Sequence, residues 1–164
     1  MSAETLLQLI ARHISSVREG ADAVVVHYAW RRAGGDDASF ASGIGELHGS
    51  QCLEIISDSQ SYLRLTGLGY EQLPPAANDE DDAADEESPR RPARLSPVQM
   101  EALVIDIFQL AARAGDTGLT ATALAAIWKI ECQRAADLRG VLDSMLSNRS
   151  LRVERGQRTV FFRN

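Results

Sequence analysis

One stretch of this chain cannot be absorbed into a compact core. Between Pro74-Pro75 and Pro92, the run Asn78-Asp-Glu-Asp-Asp-Ala-Ala-Asp-Glu-Glu87 sets like charges side by side and holds no large apolar residue. Such a run repels itself and has nothing to bury, so 74–94 is expected to be an extended, disordered linker. It leaves 1–73 and 95–164, two pieces of about 70 residues each. Domains of that size bury only about 60% of their unfolded surface and are marginal alone, so mutual packing or dimerisation would help them. The acidic run reads either as a solubilising spacer or as a nucleic-acid mimic that covers a basic surface. Arg90, Arg91 and Arg94 then form a short phosphate-contacting arm or simply neutralise the run.

Charge is unevenly spread. Residues 1–73 carry 5 basic and 9 acidic side chains, 74–94 carry 3 and 7, and 95–164 carry 9 and 7. The net charge of -6 therefore hides a positive C-terminal piece, with Arg149, Arg152, Arg155, Arg158 and Arg163 crowded near its end. Two readings stand side by side: a phosphate-binding edge, or charges that keep a sheet edge from pairing. Apolar content is ordinary for a globular protein, and no apolar run approaches a membrane span. The N-terminus lacks the basic and apolar regions of a secretion signal. Cys52 and Cys132 lie far apart without paired spacing, which predicts reduced thiols and a cytoplasmic protein.

Along the first piece, Leu6, Leu9, Ile10, His13, Ile14 and Val17 predict an amphipathic helix over Thr5–Val17, closed by Gly20. Ala21–Arg32 is ambiguous. Val24-Val-Val26 favours a strand by propensity, whereas Ala23, Val26, Ala29 and Trp30 have helical spacing, and helix is the expectation. Asp36 or Asp37 caps a third helix carrying Phe40, Ile44 and Leu47, and Gly49-Ser50 ends it. Cys52–Ile56 and Tyr62–Leu65 then flank a polar turn, which predicts a hairpin.

In the second piece, Ser96 and Pro97 are a helix start, followed by an apolar stripe of Leu103, Ile107, Leu110 and Ala114, widened by Met100, Val104 and Phe108. Thr120 caps a short helix to Ile127. After Trp128-Lys-Ile-Glu131 a further helix carries Ala135, Leu138, Leu142 and Met145 on one stripe, and Trp128 is expected to pack beneath the turn. Leu151–Arg163 reads as two strands around a Glu154–Gln157 turn. Helix, turn, helix and arginine-bearing hairpin: this order resembles the winged helix-turn-helix family. The first piece is similar to the same fold, and Tyr62-Leu-Arg-Leu-Thr-Gly-Leu-Gly-Tyr-Glu-Gln-Leu73 looks like the strand and closing helix that end many bacterial winged-helix regulators. Its hairpin is acidic and polar, with Glu54, Asp58 and the single Arg64. The two pieces share element order at an offset of about 90 residues, with little identity.

The expectation is therefore an α+β, mainly α protein of tandem winged-helix-like domains, 1–73 and 95–164, joined by the acidic linker. The resemblance implies that the second C-terminal helix enters a DNA major groove, with Gln133 pairing adenine and Arg134 pairing guanine. Lys129, Arg152, Arg155 and Arg158 would contact phosphates. Double-stranded DNA is the partner so implied, with the N-terminal domain mediating a homodimer. The alternative is a protein-interaction module that uses both domains as docking surfaces. His13, His27 and His48 lack metal-site spacing, and no nucleotide-loop or nucleophile motif occurs. No enzyme activity, metal or cofactor is expected.

Overall fold

The structure is a computed structural model, and it describes residues 2–16, 20–57, 60–73, 95–113, 116–131, 133–155 and 159–164. The expected linker 74–94, the turn residues Asp58 and Arg158, and Cys132 lie outside the described residues. Helices outweigh strands, and the architecture is α+β, mainly helical. No described helix is long and apolar enough to cross a membrane.

The N-terminal elements run α1 (Ala3–Arg12), β1 (Ile14–Ser16), β2 (Gly20–Asp22), α2 (Ala23–Arg32), α3 (Asp37–Gly49), β3 (Leu53–Ser57), β4 (Ser61–Leu65) and α4 (Gly67–Glu71). Beyond residue 94 come α5 (Pro97–Arg113), β5 (Leu119–Thr120), α6 (Ala121–Ile130), α7 (Ala135–Ser147), β6 (Leu151–Arg155) and β7 (Thr159–Arg163). Two antiparallel sheets form, in the orders β1-β2-β4-β3 and β5-β7-β6. The first helix is shorter than its apolar spacing suggests. It stops at Arg12, and Ile14 opens a strand that pairs with Ala21. The short strands β1, β2 and β5 lack any alternation that would reveal them; they form by pairing with a hairpin strand or its neighbour, a non-local cause.

The same frame occurs twice. From α2 to α6, α3 to α7, β3 to β6 and β4 to β7, each first residue is displaced by 98 positions (Ala23 to Ala121, Asp37 to Ala135, Leu53 to Leu151, Ser61 to Thr159). This corrects the offset of about 90 and requires no insertion between equivalent elements. Gly20 and Gly118 are equivalent, and each lets a strand pass close by. A Cβ on Gly20 would lie 2.5 Å from the Leu63 carbonyl oxygen, and one on Gly118 would lie 2.8 Å from the Phe162 ring. Both third helices end alike. Gln51 and Arg149 take left-handed φ of 59° and 62°, and the next residue's N–H closes on Leu47 O or Met145 O at 2.9 Å. Glycine is usual at such a stop, so Gly49, the last helical residue, marks the end of α3 without forming its left-handed turn.

The ambiguous Ala21–Arg32 segment resolves into both structures. Gly20–Asp22 is a strand, and Ala23–Arg32 is a helix capped by the Asp22 carboxylate, which accepts the Val24 N–H at 3.0 Å. Val24, Val25 and Val26 are all buried because α2 is covered on two sides. Ala23, Val26 and Trp30 join the N-terminal core, while Val24 and Val25 join the C-terminal one. The first turn of α2 is apolar on every side because both cores cover it, and this explains a valine run that mimics a strand. Equivalent helices α2 and α6 thus face one another across the seam.

Polar bonds follow the same seam. Tyr28 donates its hydroxyl to Glu131 at 2.7 Å, and Arg32 pairs with Glu131 at 2.7 Å. Gln60 donates to the Gly118 carbonyl at 3.2 Å, and the Ser61 N–H donates to Asp116 at 3.1 Å. Burial, followed by the Glu131 hydrogen bond, pushes the Tyr28 phenol well above its usual range.

Candidate nucleic-acid interface

Side chains are brought to the end of the C-terminal repeat by α7 and the β6–β7 hairpin. The start of α7 is set by Trp128, which is buried and donates its indole N–H to the Arg134 carbonyl at 2.9 Å. That bond fixes the turn between α6 and α7 and places Arg134 at the N-cap. Arg134 is exposed, and its side chain makes no cap hydrogen bond. A cation at a helix N-terminus is unfavourable with respect to the helix dipole. Gln133 is half-buried, and its amide donates to the Glu131 carbonyl at 3.0 Å. One of the two amide N–H donors is therefore already engaged within its own turn.

The buried stripe of α7 is Leu138, Val141 and Met145. Ala135, expected on that stripe, is exposed, whereas Val141 is buried. Packing of α7 against both α5 and the hairpin strand β6 broadens the covered face beyond a single i, i+3, i+4 line. Arg139 is the basic residue within α7, absent from the residues that the winged-helix resemblance picks out. It is exposed and lies four residues after Ala135 on the same face, and the expected burial of Ala135 hid it.

The hairpin separates its arginines by alternation. Pairing of Val153 with Phe161 and Arg155 with Thr159 puts these residues on one face, while Arg152 with Phe162 and Glu154 with Val160 occupy the other. Arg155 accordingly lines a cleft with Arg139 of α7. Arg152 instead pairs with Glu154 at 3.3 Å and lies 4.6 Å from the Phe162 ring centroid. Lys129 is exposed near the end of α6. The structure thus brings Arg155 to the α7 side, turns Arg152 away from it, and leaves Arg158 undescribed.

Position also sorts the acids. Of those in the C-terminal piece, Asp106 and Glu131 face Tyr28, Arg31 and Arg32, and Asp116 is buried against Ser61. Glu101 accepts from Ser144 at 3.3 Å. What remains among the described residues from Gln133 onward is six arginines (134, 139, 149, 152, 155, 163) against Asp137, Asp143 and Glu154. In the N-terminal repeat the same end is different: Arg64 is ion-paired with Glu54, and Ile55, Leu68 and Tyr70 are exposed apolar side chains. Compared with family models, curated proteins and solved structures, the chain matches none.

Proposed function

We propose that this protein is a non-enzymatic, DNA-binding regulator of winged-helix type, with domains 1–73 and 95–164 joined by the linker 74–94. In this reading the C-terminal domain presents α7 and the β6–β7 hairpin to duplex DNA in the cytoplasm. The observation that carries it is the segregation of charge: Asp106, Asp116 and Glu131 turn toward the seam, and from Gln133 onward six described arginines stand against three acids. Electrostatic attraction of that kind supplies most of the sequence-independent affinity for DNA. Arg134 adds support. At the equivalent N-cap of α3, Asp36 accepts the Ser39 N–H at 2.7 Å, whereas α7 keeps an arginine that contributes nothing to its capping. A mobility-shift titration of genomic fragments at several salt concentrations tests the reading: affinity should fall steeply with salt. Absence of salt-dependent binding at about micromolar protein would remove it.

Docking of a protein partner or a second copy on the N-terminal domain is the second reading. It is favoured by the exposed Tyr70, together with the exposed Ile55 and Leu68, since tyrosine is among the residues that most often anchor interfaces.

A further inference from the structure

We propose that the cleft between α7 and the β6–β7 hairpin binds a small alkyl carboxylate, with its chain on the cleft floor and its head group between Arg139 and Arg155. The cleft encloses about 270 Å³, below the size of drug-binding pockets but adequate for a chain of several carbons. Leu138, Leu142, Leu146, Val153 and Phe161 form its floor. Leu142, Leu146 and Val153 are only half-buried, so the chain's own packing leaves apolar surface open to water here. Covering such surface is favourable in proportion to its area. The α7 residues lining it run from Ala135 to Leu146, three turns or about 16 Å of helix. A linear chain suits that shape better than a compact ring.

Charge chooses the head group. Arg139 and Arg155 are exposed at the rim, and neither has an ion-pair or hydrogen-bond partner among the described residues. Asp143 is the third charged side chain there, so the rim is positive by one charge. A planar guanidinium presents paired donors that match a carboxylate. The site belongs to one repeat only. At the positions equivalent to Arg139 and Arg155 the N-terminal repeat has Ala41 and Ser57.

Titration of the full chain with sodium octanoate, followed by amide chemical shifts and without DNA present, tests this site independently of the DNA-binding reading. Saturable shifts are expected in α7 and the hairpin, with octanoate binding about tenfold or more tighter than octanol. Octylammonium should bind more weakly than either. The double change Arg139→Gln/Arg155→Gln should bring octanoate down to the octanol level. Ala135→Phe, which fills the cleft mouth from an exposed position, should weaken both ligands. Equal binding of octanol and octanoate would overturn the proposal, as would shifts centred elsewhere or no saturable shift at about 10 mM octanoate.

Discussion

In the N-terminal repeat, Trp30 donates its indole N–H to the Asp36 carbonyl at 3.1 Å; in the C-terminal repeat, Trp128 donates to the Arg134 carbonyl at 2.9 Å. The two tryptophans are equivalent under the 98-residue displacement and both are buried. Each fixes the turn between the second and third helices of its repeat. Equivalent surface positions share nothing of the kind: Ala41 stands opposite Arg139, Gly45 opposite Asp143, Glu54 opposite Arg152 and Ser57 opposite Arg155. A frame can therefore be held by a handful of buried contacts while its exposed face is rewritten. The shared element order says how each repeat folds, and the differences say which one exposes the positive charge.

The largest expected effect tests the frame itself. Trp30→Ala and Trp128→Ala should each cost about 3–5 kcal/mol, because each removes a large core side chain and leaves the turn carbonyl without its indole donor. Two small cores joined by α2 should also unfold together. Calorimetry should show one transition for the parent and a large, similar fall in midpoint for both variants. Tolerance of one substitution but not the other would break the equivalence of the repeats.

These anchors show what was legible in the sequence. Helix caps at Thr120 and Ser96 were readable because each lies within four consecutive residues: Thr120 accepts the Ala123 N–H at 3.1 Å, and Ser96 accepts that of Gln99 at 3.3 Å. Hairpin strands were readable from alternation. The double burial of α2 was not, since Val24 and Val25 are covered by residues some 80 to 100 positions away. The direction of each hairpin arginine was legible in principle. Arg152 and Arg155 are three apart, an odd spacing that puts them on opposite faces of a strand. The hairpin arginines therefore do not form one patch.

A second contrast lies at the N-caps of the second helices, where Asp22 and Thr120 are equivalent and both buried. Only Asp22 ionises. Burial pushes its carboxyl from an ordinary 3.8 up to about 6, against the pull of the Val24 and Val25 amides. A raised acid holds more protons in the folded chain than in the unfolded one between those values. Its contribution to stability is therefore lost as pH rises from about 4 to about 6. Asp116 is also raised by burial and acts in the same direction, whereas His13 and His27 are lowered by burial and cost stability as pH falls below 6.5. Asparagine keeps the cap without the charge. Asp22→Asn should thus stabilise the protein at pH 7 by about 2–3 kcal/mol, with the gain vanishing near pH 4. Denaturant titrations of both proteins across this range isolate the effect from the other groups. A constant difference at all pH values would show that Asp22 is not the titrating group.

The third contrast is between Asp36 and Arg134 at the N-caps of α3 and α7. Arg134→Asp should stabilise the protein by about 0.5–2 kcal/mol, since it supplies the missing cap and suits the helix dipole. The same variant should bind DNA less tightly at every salt concentration. Higher stability with unchanged DNA affinity would leave the arginine without the role proposed for it.

The smallest expected effect separates the hairpin arginines from one another. A phosphate contact releases counterions, so each one lost lowers the magnitude of the log K versus log[salt] slope by about 0.9. Arg155 lies on the α7 side with no partner among the described residues, whereas Arg152 is occupied by Glu154 and the Phe162 ring. Arg155→Ala should therefore flatten the slope by nearly the full amount and weaken binding to all sequences alike. Arg152→Ala should flatten it by clearly less, because its charge is already partly compensated. Arg64→Ala, at the ion pair with Glu54 in the N-terminal hairpin, serves as the outer control and should leave the slope unchanged. If Arg64→Ala and Arg155→Ala flatten it equally, both repeats contact DNA, and the assignment of that role to the C-terminal repeat alone is wrong. If Arg152→Ala has the larger effect, DNA lies against the outer face of the hairpin. The α7 side would then be left to the ligand cleft.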